Sequence, residues 1–177
     1  MLWYEVAPGT KPFDLPNKVV FGVGPLAGTG APCNGRTAIT TLWPTCWPKP
    51  LVASGHMGGQ FAAELKYAGY DGIIIEGKAD RPVYVLIMDK KVEINDARHL
   101  WGQGIRRTTV ELSQQFGPEV CVAAIGQAGE NLIPMSVVMN AEHRTCPQIR
   151  RSLQAQKLRA QWPSRIARRT APYFCRW

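Results

Sequence analysis

The chain has 177 residues, 45% of them hydrophobic and 19% charged, with a formal net charge of +8. That length suits one domain of ordinary size, burying roughly 70% of its unfolded surface, and no apolar run approaches the ~18 residues that cross a bilayer. "MLWYEV" passes straight into "APGTKPFDLP" and does not read as a secretory leader, so the expectation is a cytoplasmic protein without membrane contact.

The charge is unevenly spread. Residues 1–144 hold 13 Lys and Arg against 13 Asp and Glu, whereas residues 145–177 hold seven Arg, one Lys and no acid. The first segment alternates periodic stretches with turn signals. The second lacks glycine, caps and any sustained period. Two regions are therefore expected, a folded domain over 1–144 and a basic, disordered tail over 145–177. The five cysteines, Cys33, Cys46, Cys121, Cys146 and Cys175, are odd in number and scattered. They form neither a disulfide framework nor a metal-ligand spacing and read as free thiols.

In chain order, a proline-rich loop leads to "KVVFGVG" (Lys18–Gly24), a short apolar run between turn residues and hence a strand. The loop "PLAGTGAPCNG" precedes a β-branched strand, Arg36–Trp43, and "LVASG" is a weaker strand. From Gly59 the spacing becomes helical: Phe61, Ala62, Leu65, Tyr67 and Ala68 share a face, and Gly69 ends a helix of about ten residues. "DGIIIEG" follows, its adjacent isoleucines predicting a strand covered on both faces. "RPVYVLIMDKKVEIND" reads as a hairpin, Val83–Met88 and Val92–Asn95 about a turn at Asp89–Lys90. Thr108 and Glu111 form a capping-box pattern for a helix closing at Gly117–Pro118. "VCVAAIG" and "LIPMSVVM" complete the strands. The fold class is α+β, a β-rich domain on a mixed sheet with a few short helices.

Two loops could carry chemistry. In "SGHMGGQF" the glycines allow close backbone approach to an anion ahead of a helix start, although a tight turn has the same pattern and no dinucleotide fingerprint is completed. "GTGAPCNGR" ends on Arg36, which could clamp phosphate or stack on a planar ring, or simply begin a strand in solvent. His56, His99 and His143 are too dispersed for a metal motif, and His99 is expected to pack beside Trp101. Glu64 and Lys66 read as a solvated helix face. No paired-carboxylate catalyst appears among Asp71, Glu76, Glu93 and Asp96. The residues alone thus define a glycine-rich anion or cofactor cradle with neither catalytic residue nor metal ligand assigned.

Taken in order, "NKVVFGVGPLAGTGAPCNGR", "HMGGQFAAELKYAGYDGIIIEGKADRPVYVLI", "VEINDARHLWGQG" and "AAIGQAGENLIPMSVVMNAEHR" resemble the N-terminal domain of the tungsten- or molybdenum-dependent aldehyde ferredoxin oxidoreductase family, from about Tyr4 to Arg144. The resemblance implies a β-rich base carrying a bis-pyranopterin cofactor of tungsten or molybdenum, with a magnesium ion bridging the pterin phosphates. The family oxidises an aldehyde with water to a carboxylate and passes electrons through a [4Fe–4S] cluster to ferredoxin or a related carrier. The full-length form is expected to be a homodimer. By the same resemblance, Arg36 lies between pterin and cluster, the His56 carbonyl helps hold the magnesium, Met57, Gly58 and Gly59 lie against the pterin, and Arg144 is a second cofactor-side arginine.

There are departures. His56 stands where the aldehyde oxidases commonly have Asn, and about forty family residues, including a first hairpin, precede the equivalent of "LWYEV". After "MNAEHR" the family's glycine-rich segment and cluster cysteines are replaced by the basic tail, which reads as an out-of-frame translation. The expectation is an inactive fragment truncated at both ends. The alternative is a basic-tailed protein whose arginines, with Trp162, Tyr173, Phe174 and Trp177, contact an acidic surface or nucleic acid without sequence specificity, or a scaffold for separate oxidoreductase subunits.

Overall fold

The computed structural model describes residues 2–43, 49–77, 79–89, 91–131, 133, 136–140 and 144–145. His143, Cys46, Cys146, Cys175 and the expectations for the tail beyond Thr145 lie outside the described residues.

A four-stranded sheet forms the centre, in the order β3-β2-β1-β4. Its strands are β1 (Lys18–Val23), β2 (Thr37–Trp43), β3 (Leu51–Met57) and β4 (Gly72–Glu76). The sequence pattern explains which faces are covered. In β4, Ile73 and Ile75 join Val19 and Phe21 of β1, Ile39 of β2 and Met57 of β3 in the main core. The intervening Ile74 packs with Val20 against Leu2 on the other face. Leu2 belongs to α1 (Leu2–Glu5), a single turn laid on β1. The expected two-sided cover of the isoleucine strand is therefore present, and each such side chain contributes about 1.5–3 kcal/mol on burial.

Between β3 and β4 the chain crosses the main core face as α2 (Phe61–Tyr67), which inserts Leu65 into that core. The helix spans seven residues and stops where glycine was expected to stop it. Gly69 has φ +88°, its N–H donates to the Lys66 carbonyl at 2.9 Å, and the Tyr70 N–H donates to the Leu65 carbonyl at 3.0 Å. This pair of bonds satisfies the last carbonyls of the helix, and Leu65 and Tyr70 are both in the core. Glu64 is exposed as expected, while Lys66 pairs with Asp71 at the entry to β4.

The hairpin β5 (Val83–Met88) and β6 (Lys91–Asp96) pairs Met88 with Lys91, confirming the two-residue turn, with Asp89 at φ +48°. A 3-10 turn (Arg98–Leu100) and α3 (Gly104–Phe116) follow. The expected capping box is not formed: α3 begins a turn before Thr108, after Gln103, with no side-chain cap. Glu111 lies beside His99 at 3.7 Å instead. His99 and Trp101 are both exposed, so the packing expected of that histidine is replaced by a surface pairing with Glu111. Gly117, at φ +105°, ends α3 as expected. Leu100, Leu112 and Val122 form a second core cluster, flanked by the edge-on rings of Tyr84 and Phe116 with centroids 6.3 Å apart.

Last come β7 (Ala123–Ile125), α4 (Gln127–Glu130), β8 (Val138–Asn140) and β9 (Arg144–Thr145), with the three strands in the order β7-β8-β9. The α+β class expected from the sequence is what the structure shows. Every described pairing is antiparallel. The sheet is thus not mixed in its hydrogen bonding, because α2 delivers β4 antiparallel to β1 rather than completing the crossover that a parallel pair requires.

Candidate functional site

The register of the central sheet brings the two glycine loops together. Thr37 pairs with Met57 and Ala38 with His56, so Arg36, just before β2, lies across from the Gly58–Gly59 turn that leaves β3. The turn has φ +107° at Gly59. The approach is close: a Cβ on Gly35 would come within 3.2 Å of the Gly59 carbonyl oxygen. A Cβ on Gly58 would meet nothing within 4 Å, so the backbone there borders open space.

A third segment closes on the same turn. The side-chain amide of Asn140, at the end of β8, donates to the Gly58 carbonyl at 3.1 Å. Asn140 is fully buried, and its main chain pairs with Arg144 of β9. Five of the six residues expected at the cofactor, Arg36, His56, Met57, Gly58 and Gly59, thus gather at one end of β2 and β3, and the sixth, Arg144, is brought to Asn140 through its backbone. Their side chains are used differently. Arg36 and His56 are exposed, and Arg36 forms no ion pair among the described residues. Met57 is completely buried in the core, so only its backbone is available to a ligand.

The loop carrying Arg36 is held by local bonds. The Asn34 amide and the Thr29 hydroxyl both donate to the Leu26 carbonyl, at 2.6 and 2.7 Å, and the Tyr67 hydroxyl of α2 donates to the Gly28 carbonyl at 3.0 Å. Beneath the cradle, Thr37 Oγ1 is buried and has no hydrogen-bond partner among the described residues. Further in, the Cys121 thiol lies 3.1 Å from Asn140 Oδ1. Burial pushes this thiol up to about 11, and the Glu64 carboxylate adds to the rise.

Sequence reasoning missed Asn140, Cys121 and Gly35. The available signal was a polar residue closing the apolar run "SVVMN", where burial demands a partner, but nothing in the sequence says that the partner is Gly58. Among the described residues no three His, Cys, Asp or Glu side chains gather as a metal site. No helix among the described residues is long and apolar enough to cross a membrane. A cavity of about 620 Å³, lined by residues including Phe21, Ile75, Tyr84, Leu112 and Cys121, lies between the main core and the hairpin and contains none of the six cradle residues.

The arrangement is a platform of half-buried glycine backbone bordering open space, beside Arg36, with no acid among the six residues that compose it. It fits a flat, anionic group: glycine lets such a group reach the backbone, and arginine binds phosphate in a planar fork. At seven residues, α2 adds little by its dipole.

Comparison with known proteins gives the family. The family described as "Aldehyde ferredoxin oxidoreductase, N-terminal domain" matches residues 1–151. The chain is 42% identical over 145 residues to the tungsten-containing aldehyde ferredoxin oxidoreductase of Pyrococcus furiosus, covering 81% of this chain and 24% of that protein. It is 46% identical over 141 residues to that of Pyrococcus abyssi, covering 79% and 23%, and 31% identical over 155 residues to the aliphatic sulfonate oxidoreductase WOR-like subunit of Pyrococcus furiosus, covering 78% and 24%. Among solved structures, it is similar to the active site complex BamBC of benzoyl coenzyme A reductase in complex with 1,5-dienoyl-CoA. The TM-score is 0.78 and the identity 38%, covering 88% of this chain and 24% of that one. The chain therefore spans about a quarter of the length of these relatives. It belongs to the aldehyde ferredoxin oxidoreductase family, of which it carries the N-terminal domain.

Proposed function

We propose that this chain forms one wall of the site for a tungsten or molybdenum bis-pyranopterin in an aldehyde ferredoxin oxidoreductase-type enzyme. The observation that carries the reading is the meeting of Arg36, the Gly58–Gly59 turn and the Asn140–Arg144 strand pair around open backbone. The tungsten-containing enzymes named among the relatives support the choice of cofactor.

In this reading Gly58 and Gly59 would admit the pterin to the backbone, and Arg36 and Arg144 would supply positive charge to its phosphates. The His56 carbonyl would be the group that holds a magnesium ion, a main-chain contact that does not depend on the side chain. The bound metal supplies the two-electron oxidation of an aldehyde with water to a carboxylate, with ferredoxin as acceptor. The protein's part is binding, orientation and charge, and no cradle side chain is assigned a proton-transfer role. A second reading follows from the 38% identity to the benzoyl coenzyme A reductase complex: the same platform serving an acyl-coenzyme A reductase. Reduction of an aromatic acyl-coenzyme A by the assembled enzyme, without aldehyde oxidation, would select it.

The test is to express the full chain in cells making pyranopterin, with tungstate or molybdate, and to measure retained metal by mass spectrometry and pterin by the fluorescence of its oxidised form. The parent chain is expected to retain pterin. Gly58→Val, which the open space tolerates, and Arg36→Ala should reduce retention at least about tenfold, the equivalent of one charged contact. Equal retention by the parent and both variants, or none by the parent, counts against the reading.

A further inference from the structure

We propose that Asn140, itself held by the Cys121 thiol, is a positioning residue that turns the Gly58 carbonyl into the protein and so aims the Gly59 N–H outward as a donor to an anionic oxygen. The last step rests on the cofactor-binding reading; the relay itself does not.

The geometry leaves little freedom. Asn140 is fully buried, and its main chain is paired on both sides, with Ala123 of β7 and Arg144 of β9, which fixes where its side chain starts. Its amide spans two groups distant in sequence, donating from Nδ2 to the Gly58 carbonyl at 3.1 Å and accepting at Oδ1 from Cys121 Sγ at 3.1 Å. The orientation of the amide follows from chemistry. A carbonyl can only accept, so the NH2 must face Gly58, and Oδ1 must then receive a proton from the other side. The thiol provides it, because burial keeps Cys121 protonated well above neutral pH.

The consequence passes through the peptide plane. Because the Gly58–Gly59 peptide is planar and trans, its carbonyl and its N–H point in opposite directions. With the carbonyl drawn inward to a buried amide, the Gly59 N–H points away from it. Among the described residues that N–H donates to no backbone carbonyl, and the Cβ position of the preceding glycine borders open space. The next carbonyl, that of Gly59, lies close to Gly35, where an added Cβ would stand 3.2 Å from its oxygen. The Gly59 N–H is thus an aimed, unspent donor beside Arg36, as an anion site requires.

The test uses the isotope-labelled full chain with four variants. In Asn140→Asp the group facing Gly58 cannot donate. Asn140→Ala removes it, Cys121→Val removes the thiol donor, and Cys121→Ser keeps a donor. Backbone order parameters of the Gly58 and Gly59 amides should fall from the rigid range, about 0.85, to below about 0.6 in the first three and stay near the parent in Cys121→Ser. Amide hydrogen exchange at Val19–Phe21 and Ile73–Ile75 should hold within about twofold throughout. Titration with magnesium pyrophosphate, followed at the Gly59 amide resonance, should show binding weakened in the same three variants and rescued in Cys121→Ser. Unchanged order parameters at the turn in Asn140→Asp, failure of Cys121→Ser to behave differently from Cys121→Val, or core-strand exchange that quickens beyond about twofold would overturn the relay. A turn that loosens as stated but whose Gly59 amide never responds to pyrophosphate upholds the relay and overturns the donor role with the cofactor-binding reading.

Discussion

The ring of Tyr67 lies directly on Gly28: a Cβ at position 28 would stand 2.9 Å from Tyr67 Cε1, and the phenol hydroxyl donates to the Gly28 carbonyl at 3.0 Å. This contact ties the solvent side of α2 to the loop that carries Arg36. It also accounts for Tyr67 being largely exposed although it was expected on the buried helical face.

Gly28→Ala is therefore expected to be costly for two separable reasons. The left-handed φ of +78° penalises a side chain by about 1–2 kcal/mol, and the new methyl displaces the ring. Tyr67→Ala should relieve the second part only, so the double variant should lose less stability than the two singles combined. Urea denaturation of the four proteins measures this. Strict additivity would show that the ring and the glycine act independently.

Met57→Ala should behave as a core substitution even though its neighbours form the cradle. The side chain has no exposed surface and packs with Ile39, Phe21 and Ile73, so its removal is expected to cost about 2–5 kcal/mol. Met57→Leu, similar in volume, should cost less than about 1.5 kcal/mol. If Met57→Ala instead leaves the denaturation midpoint unchanged, β3 does not pack as described.

Lys18 joins three elements, reaching Glu76 of β4 at 2.8 Å and Glu5 of α1 at 3.1 Å. The hydrogen bond to Glu76 is the main cause of a lysine raised above its ordinary 10.5; burial opposes it, and Glu5 reinforces it. The folded value lies above the unfolded one, so the stabilisation is complete below pH 10.5 and is lost as pH rises through the raised value. Lys18→Met should lower stability by about 1 kcal/mol at neutral pH. Its deficit relative to the parent should narrow above pH 10.5. Melting curves at pH 8 and pH 11 would show whether the gap closes; a gap that widens at high pH contradicts the assignment.

Cys121 should ionise about two units above the ordinary value, near 11 instead of 9.0. A folded value above the unfolded one places the thiol's stabilising effect fully below pH 9.0 and removes it as pH climbs towards about 11. Peptide mapping after brief iodoacetamide treatment at pH 8.5 should find Cys33, exposed on its loop, modified well before Cys121. Thiolate absorbance of the folded chain should resolve a titration near 11. Modification of Cys121 at the rate of Cys33 in the folded protein would refute its burial.

Legibility from the sequence followed the range of the interaction. Local rules located the glycine stop of α2, the two-residue hairpin turn and the buried isoleucine strand, because each is fixed by residues a few positions apart. The capping-box rule failed at Thr108 because the pattern fell inside a helix already under way; Gly104 and Ile105 carry too little polar signal to mark its start. Glycine content and the loop-end arginine singled out the Gly58–Gly59 turn and Arg36 from the residues alone, the family resemblance gave them one shared role, and the register of β2 against β3 places them side by side. The partnership of Asn140 with Gly58 could not be read, since nothing local at either residue specifies the other.

That partnership joins residues 82 positions apart, which has a consequence for biosynthesis. Contacts of such separation form late, since the intervening chain must be closed before they can act. On the ribosome, where N-terminal segments emerge first, the β1–β2–β3 sheet can assemble while β8 is still within the exit tunnel. The glycine turn then has no inward tether. In the proposed reading, competence to take a ligand is withheld until the strand bearing Asn140 has been released.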